Sequence, residues 1–346
     1  MTDVAVVGGG IVGCALAAFL AEGGADVVVY EREAIAAGAS GRNSGVVQHP
    51  LDAALTGLYE ESLEHYAALG HGFELPAEPA GLLLLASPDT LESPPAAFPE
   101  LRPTYLEGLE LTAAEPALAG GLAAWRLETG RPVPPAAAAQ AFAARARAAG
   151  ARFEIGAPAH ANAKGVTVEG EHRPAGAVVV AAGPWSPEAG AALPVSPLWG
   201  VVVELELPAP PGHVLEQAGI DALTSADVPD VMFSAVTARG ISAVGSTFMP
   251  ERPEPERLAP QILANAARFL PAVADAPIRG LRACARPSSA DGRPYLGALE
   301  ENLFVATGHG AWGVTLGPAS ARLVADQVLG RPAEIPPDLQ ARRGCS

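Results

Sequence analysis

An α/β architecture, α+β over the chain as a whole, is predicted by three observations. Residues 3–31 run strand, glycine turn, helix, strand. Strand-like runs leading into glycine loops recur at 177–186 and 303–330. The intervening stretches hold short apolar runs broken by prolines, such as PAPPG, which reads as a second, antiparallel sheet with flanking helices. The length of 346 residues sets a prior of two domains, at roughly 150 residues each.

The N-terminal unit is the most explicit. Val4–Val7 is a short β-branched run that meets Gly8-Gly9-Gly10. A helical pattern follows to about Glu22, then Gly23-Gly24, and Val27–Tyr30 forms a second run ending in Glu31. The glycines match GxGxxG at Gly8, Gly10 and Gly13. Gly8 permits the tight turn, Gly10 lets the backbone approach a pyrophosphate, and Gly13 lets helix pack on strand. Ile11 and Val12 open the helix, whose free N–H groups face the phosphates. Glu31, 18 residues after Gly13, stands where an acid binds ribose hydroxyls, and Arg32 follows it. Dinucleotide binding is the expected task.

Composition narrows the partners. With 22 Lys+Arg against 38 Asp+Glu the net charge is −16, and no basic cluster offsets it. Such a chain repels phosphate backbones, which argues against nucleic acid or an anionic membrane surface. A 49% hydrophobic content excludes disorder of the chain as a whole. Lys164 is the one lysine, so a lysine Schiff base has a single candidate. Cys14, Cys284 and Cys345 are odd in number and far apart. They give no disulfide framework and no metal spacing, and a reduced, cytoplasmic setting is expected. Val4–Ala21 carries no charge, yet Asp3 precedes it and four glycines interrupt it, so neither a signal peptide nor a membrane span is expected.

Residues 38–46, GASGRNSGV, decide between nucleotide cofactors. Here the sequence resembles the FAD-dependent amino acid oxidase family, which holds glycine oxidase, D-amino acid oxidases and dehydrogenases, and sarcosine oxidases. In that family such a segment passes along the pyrophosphate and the flavin ring. The resemblance assigns this path to Ser40, Arg42, Asn43, Ser44, Gly45 and Val46. Three further segments extend it. AVVVAAGPWS (177–186) places Gly183, Trp185 and Ser186 beside the FAD, with Trp185 mainly structural. LRACARPSSADGRPYLG (281–297) matches the family's Arg-Pro-x-x-x-Asp-Gly-x-Pro pattern and implies that Arg286 grips a substrate carboxylate by two parallel hydrogen bonds. LFVATGHGAWGVTLGPASARLVADQVLG (303–330) supplies a loop through Gly308 and Gly310 toward the flavin pyrimidine edge. Gly313, Val314, Thr315 and Leu316 are the expected contributors there, with a helix opened by Gly317-Pro318.

The resemblance implies a discontinuous FAD domain from 1–76, 133–196 and 279–331. It leaves a substrate domain from 77–132 and 197–278, and a fraying tail over 332–346. The implied activity is oxidation of the C–N bond of a small amino acid, with hydride leaving Cα for the flavin. Oxygen or another acceptor takes the electrons, and assembly into an oligomer or complex stays open. His49 and His309 flank the expected flavin site and are candidate acid–base groups. They motivate an alternative, a 2-hydroxy-acid oxidoreductase, although Gln48 occupies the place where those relatives carry histidine. A flavin-bound subunit of a larger complex is a third reading. FAD is expected to be non-covalent, with Cys284 as the covalent candidate. Tyr59, Tyr66 and Tyr105 are equally pocket or core aromatics, and no metal is expected.

Overall fold

The computed structural model describes residues 2–92, 98–220 and 231–343. Cys345 lies outside them. The first sheet has eight strands. Its parallel core runs, in spatial order, Leu303–Thr307, Glu171–Val180, Thr2–Val7, Val27–Glu31 and Arg152–Ile155, with Tyr295–Glu300 antiparallel at one edge. Parallel strands are covered on both faces, which is why Val4–Val7 and Val178–Val180 are uninterrupted apolar runs. One face carries the helices Ile11–Glu22, Ala53–Ala67, Ala137–Ala148 and Gly313–Val328. The other is covered by Ala159–Asn162 and Gly165–Val168, which form a meander with the start of Glu171–Val180. The uncharged run Val4–Ala21 is thus a strand, a turn and most of a helix buried from Ile11 to Ala21. No helix among the described residues is long and apolar enough to cross a membrane.

The second sheet also has eight strands, ordered Ile278–Ser289, Val195–Leu205, Ile241–Thr247, Val231–Ala238, Val214–Gln217, Leu82–Ala86, Ala123–Leu127 and Thr104–Glu107. Alternation along them sorts the two faces. Val201, Val203, Leu205, Leu215, Phe233 and Val244 pack under the helix Pro255–Ala266. Val202, Glu216, Ser234 and Val236 turn the other way, toward the first sheet.

The second sheet is antiparallel as expected apart from one pair: Val214–Gln217 runs parallel to Leu82–Ala86, because a long connection rather than a hairpin joins them. Three details differ from the expectation. Residues 279–289, expected with the first domain, pair with Val195–Leu205 from Val195↔Ser289 to Leu205↔Ile278 and belong to the second sheet. The last long helix begins at Gly313 rather than at Gly317-Pro318. Pro318 sits inside it and cannot donate to the Val314 carbonyl four residues back. The Tyr66 hydroxyl donates there instead, at 2.5 Å. The tail does not fray as far as Arg343: Ile335, Leu339 and Ala341 are buried, and Arg343 pairs with Asp291 at 2.9 Å over the Tyr295 ring.

Candidate active site

The two sheets face each other across a cleft of about 540 Å³. Its first end is the glycine turn. Gly8 has φ +113°, and a Cβ there would lie 2.5 Å from the Ala181 carbonyl oxygen. A Cβ on Gly13 would lie 1.9 Å from the Gly8 carbonyl oxygen, so helix and turn touch only because residue 13 has no side chain. Gly8, Gly10, Ile11 and Val12 line the cleft, whereas Gly13 acts from behind as the packing residue. The Ile11 N–H donates to Ser40 Oγ at 2.9 Å. Glu31 accepts from the N–H groups of Gly9 (2.6 Å) and Glu33 (2.8 Å), which holds its carboxylate at the cleft wall. Arg32 lies over the Trp185 ring, 3.8 Å from its centroid.

The segment 38–46 runs along the cleft, and Ser40, Arg42, Asn43, Ser44, Gly45 and Val46 all line it. Asn43 fixes its shape by donating to the carbonyls of Ala39 (3.1 Å) and Ser40 (2.7 Å) and accepting from Gly45 N–H (2.8 Å). Gly183, Trp185, Gly310, Gly313, Val314 and Thr315 complete the first-sheet wall. Gly308 and Leu316 do not line the cleft. Gly308 makes the turn at φ +81°, and Leu316 is fully buried beneath the helix.

Arg286 projects from Ile278–Ser289 into the cleft. Its Nη1 donates to the Thr247 carbonyl at 2.9 Å and its Nη2 to Ser246 Oγ at 2.6 Å. A Cβ on Gly200 would lie 2.4 Å from Nη2, so that glycine makes room for the guanidinium. Burial pushes its pKa down, and no carboxylate lies within ion-pair distance of it among the described residues.

The two histidines separate. His309 is buried and lines the cleft, and burial lowers its pKa to about 4, so the ring is neutral near pH 7. His49 is a correction: its ring does not line the cleft. It packs edge-to-face between Tyr59 (5.1 Å) and Phe98 (5.2 Å). Successive residues of an extended chain point opposite ways, so Gln48 takes the cleft side. Gln48 donates to Glu216 at 3.1 Å. None of Tyr59, Tyr66 and Tyr105 lines the cleft. Tyr59 meets Arg131 and Tyr105 meets Glu107. Glu216, Trp199, Phe248 and Arg252 are lining residues that no motif revealed. The period-two pattern of the second-sheet strands was the available signal.

A family model described as FAD dependent oxidoreductase matches residues 3–327. The chain belongs to that family. It is 27% identical to a glycine oxidase of Bacillus licheniformis, over 96% of this chain and 94% of that one. A D-amino acid dehydrogenase of Methylobacterium nodulans is 33% identical over 49% of this chain and 40% of its own. The crystal structure of a glycine oxidase from Geobacillus kaustophilus aligns with a TM-score of 0.82 at 26% identity, covering 99% of this chain and 98% of that one. The protein is a flavoprotein oxidoreductase and its cofactor is FAD, as the resemblance implied. The residues fit that group. A glycine turn in which Gly8 and Gly13 leave no room for a side chain leads into a helix N-terminus, where backbone comes closest to a pyrophosphate. The Glu31 carboxylate sits at the second strand end, where ribose hydroxyls are bound.

Cys284 is buried and lines the cleft, 3.8 Å from the Ala39 carbonyl oxygen. Burial pushes its thiol pKa up, and that of Cys14 likewise. No group of three or more His, Cys, Asp or Glu among the described residues could hold a metal ion.

Proposed function

We propose that this oxidoreductase oxidises the C–N bond of a small amino acid whose carboxylate is held by Arg286. One observation carries the reading: a guanidinium lines the cleft, oriented by Ser246 and Thr247, with no carboxylate partner among the described residues. Two of its five N–H donors are committed to the protein, which leaves a fork for a bidentate carboxylate. When bound, FAD supplies the two-electron acceptor.

The rest of the site orients and protects. Arg286 fixes the carboxylate and thereby the position of Cα. Leu198 and Phe248 line the cleft and keep water from the reacting carbon. The amine must lose its proton before the C–N bond is oxidised, and neutral His309 can accept a hydrogen bond but is too weak a base at about 4 to hold that proton. The imine formed hydrolyses to an oxo acid and the free amine. Glycine, D-amino acids and N-methyl amino acids fit this chemistry, with oxygen or another acceptor reoxidising the cofactor. The 2-hydroxy-acid alternative needs a base for the C–OH proton, and His49, one of its two candidates, faces away from the cleft. The raised Cys284 thiol supports non-covalent FAD, since the thiolate is the form that reacts.

Anaerobic mixing of the purified holoprotein with glycine, sarcosine and a panel of D-amino acids tests the reading. Bleaching of the flavin band is expected. An intact flavin that no amino acid bleaches, but that a 2-hydroxy acid does, overturns it.

A further inference from the structure

Besides Arg32 and Arg42 on the first-sheet wall, the cleft carries a second guanidinium on its second-sheet wall, that of Arg252, exposed at the rim and on the stretch of chain that seats Arg286. Trp199 and Met249 exchange both backbone hydrogen bonds, at 2.7 and 2.9 Å, and this pins the segment leaving Ile241–Thr247 beside Val195–Leu205. Three residues beyond Met249, Arg252 lies with its Cζ 5.6 Å from the centroid of the Trp199 ring. Arg286 is the register partner of Leu198, which adjoins Trp199, and its Cζ lies 4.7 Å from the centroid of the Phe248 ring. Arg286, held by Ser246, Thr247 and Phe248, and Arg252, held beside Trp199, therefore share residues 246–252 and the paired strand as their support, and both line the cleft. Leu198 and Phe248 pack together and line the cleft, supplying apolar surface next to the residues that seat both groups.

In a chain of net charge −16 many arginines find carboxylates, as in Arg145–Glu22 (2.6 Å), Arg152–Asp26 (2.9 Å) and Arg343–Asp291 (2.9 Å), although others such as Arg126 and Arg147 do not. Arg252 has no such partner among the described residues, and the nearby Glu254 is taken by Arg257 at 2.6 Å. The one acid lining the cleft from the second-sheet strands, Glu216, is on Val214–Gln217. That strand is two positions across the sheet from Ile241–Thr247, or roughly 10 Å at the usual strand spacing. Two cations beside apolar surface match a ligand with an anion at each end and methylenes between.

We propose that Arg252 binds a second acidic group, so that this cleft selects dicarboxylic amino acids. The inference rests on the reading of Arg286 as the anchor of the first carboxylate. A neutral amino acid meets the apolar surface but leaves Arg252 without a counterion. An amino acid with a side-chain carboxylate satisfies both guanidinium groups.

Two measurements on the holoprotein test this. In the first, kcat/KM is compared for aspartate against asparagine and glutamate against glutamine, each as both enantiomers, in wild type and Arg252→Gln. The acid is expected to exceed its amide at least tenfold, and Arg252→Gln to collapse that ratio toward one. An amide preferred by wild type, or a ratio that the substitution leaves unchanged, overturns the proposal. The second needs no turnover. Perturbation of the flavin spectrum is titrated with glutarate and with pentanoate, which differ by the second carboxylate. Tenfold tighter glutarate binding that Arg252→Gln removes is expected, and equal affinities overturn the proposal. If neutral amino acids bleach the flavin while glutarate shows no advantage, the inference fails alone. If no amino acid of either kind bleaches it, the parent reading fails, and the titration still decides whether Arg252 binds an acid.

Discussion

Arg286 and His309 are two polar side chains of one cleft with opposite responses to burial. The guanidinium keeps its charge, because even a lowered arginine pKa stays far above neutrality. Its cost of desolvation is offset by Ser246 and Thr247 and, on this reading, by the substrate carboxylate. Arg286→Met is therefore expected to raise KM by roughly 100-fold, the loss of about two charge-assisted hydrogen bonds. A KM that stays put would mean that the carboxylate is held elsewhere. His309 gives way instead and stays neutral, with its pKa lowered to about 4 from an ordinary 6.5. The unfolded chain then binds a proton that the folded chain refuses. The sign follows: stability is complete above about pH 6.5 and falls as the pH drops toward 4, by roughly 3 kcal/mol in all. His309→Gln, which cannot titrate, is expected to flatten that part of the stability–pH curve in denaturant unfolding. A curve that keeps its slope would place the acid sensitivity in another group.

At the scale of elements, the helix Gly313–Val328 shows what sequence reading reached and where it stopped. Gly317-Pro318 reads as a helix start because proline suits a first turn. The helix nevertheless begins earlier, since its first turn completes the cleft wall with Val314 and Thr315 and a distant hydroxyl replaces the missing donor. Nothing local to Pro318 announces Tyr66, 252 positions upstream. Tyr66→Phe is expected to destabilise the protein by about 1–3 kcal/mol, the cost of a buried carbonyl left without a donor, with its aromatic packing against Phe73 kept. Thermal unfolding measures it, and an unchanged midpoint would show that the Val314 carbonyl has found another partner. The glycine turn was legible for the converse reason. Its strand, turn, helix and acid lie within residues 3–31, and Gly8 and Gly13 each answer a backbone clash that a Cβ at that position would create. The second-sheet wall was not legible. Glu216 and Arg252 meet the first sheet only through pairings over long separations, and alternation tells which residues share a face without telling what the face opposes.

Across the whole molecule, the cleft is where two independently built sheets meet, and their cores are separate clusters. Within the cleft, Gln48 reaches Glu216 across the gap, and the long strand Ile278–Ser289 carries Arg286 from the second sheet into the cleft. A cofactor lying along that cleft contacts the first sheet's turn and loops at once, so its binding free energy adds to the stability of the whole fold. By mass action, FAD at a hundred times its dissociation constant contributes about 2.7 kcal/mol, and the unfolding midpoint is expected to rise with the logarithm of FAD concentration. Gly10→Ala separates this from folding. Gly10 has φ −75°, which alanine tolerates, and a Cβ there lies 3.2 Å from Ser40 Oγ, a side chain able to shift. The apoprotein of this variant is expected to unfold near the wild-type apo midpoint. The methyl group would nonetheless occupy the surface that backbone must offer to a pyrophosphate. Its midpoint should lose the dependence on FAD, and its purified form should carry little flavin. A Gly10→Ala protein that retains full flavin and a normal FAD-dependent rise would remove the pyrophosphate from this turn. The placement of the cofactor along segment 38–46 would then have to be rebuilt from the other wall of the cleft.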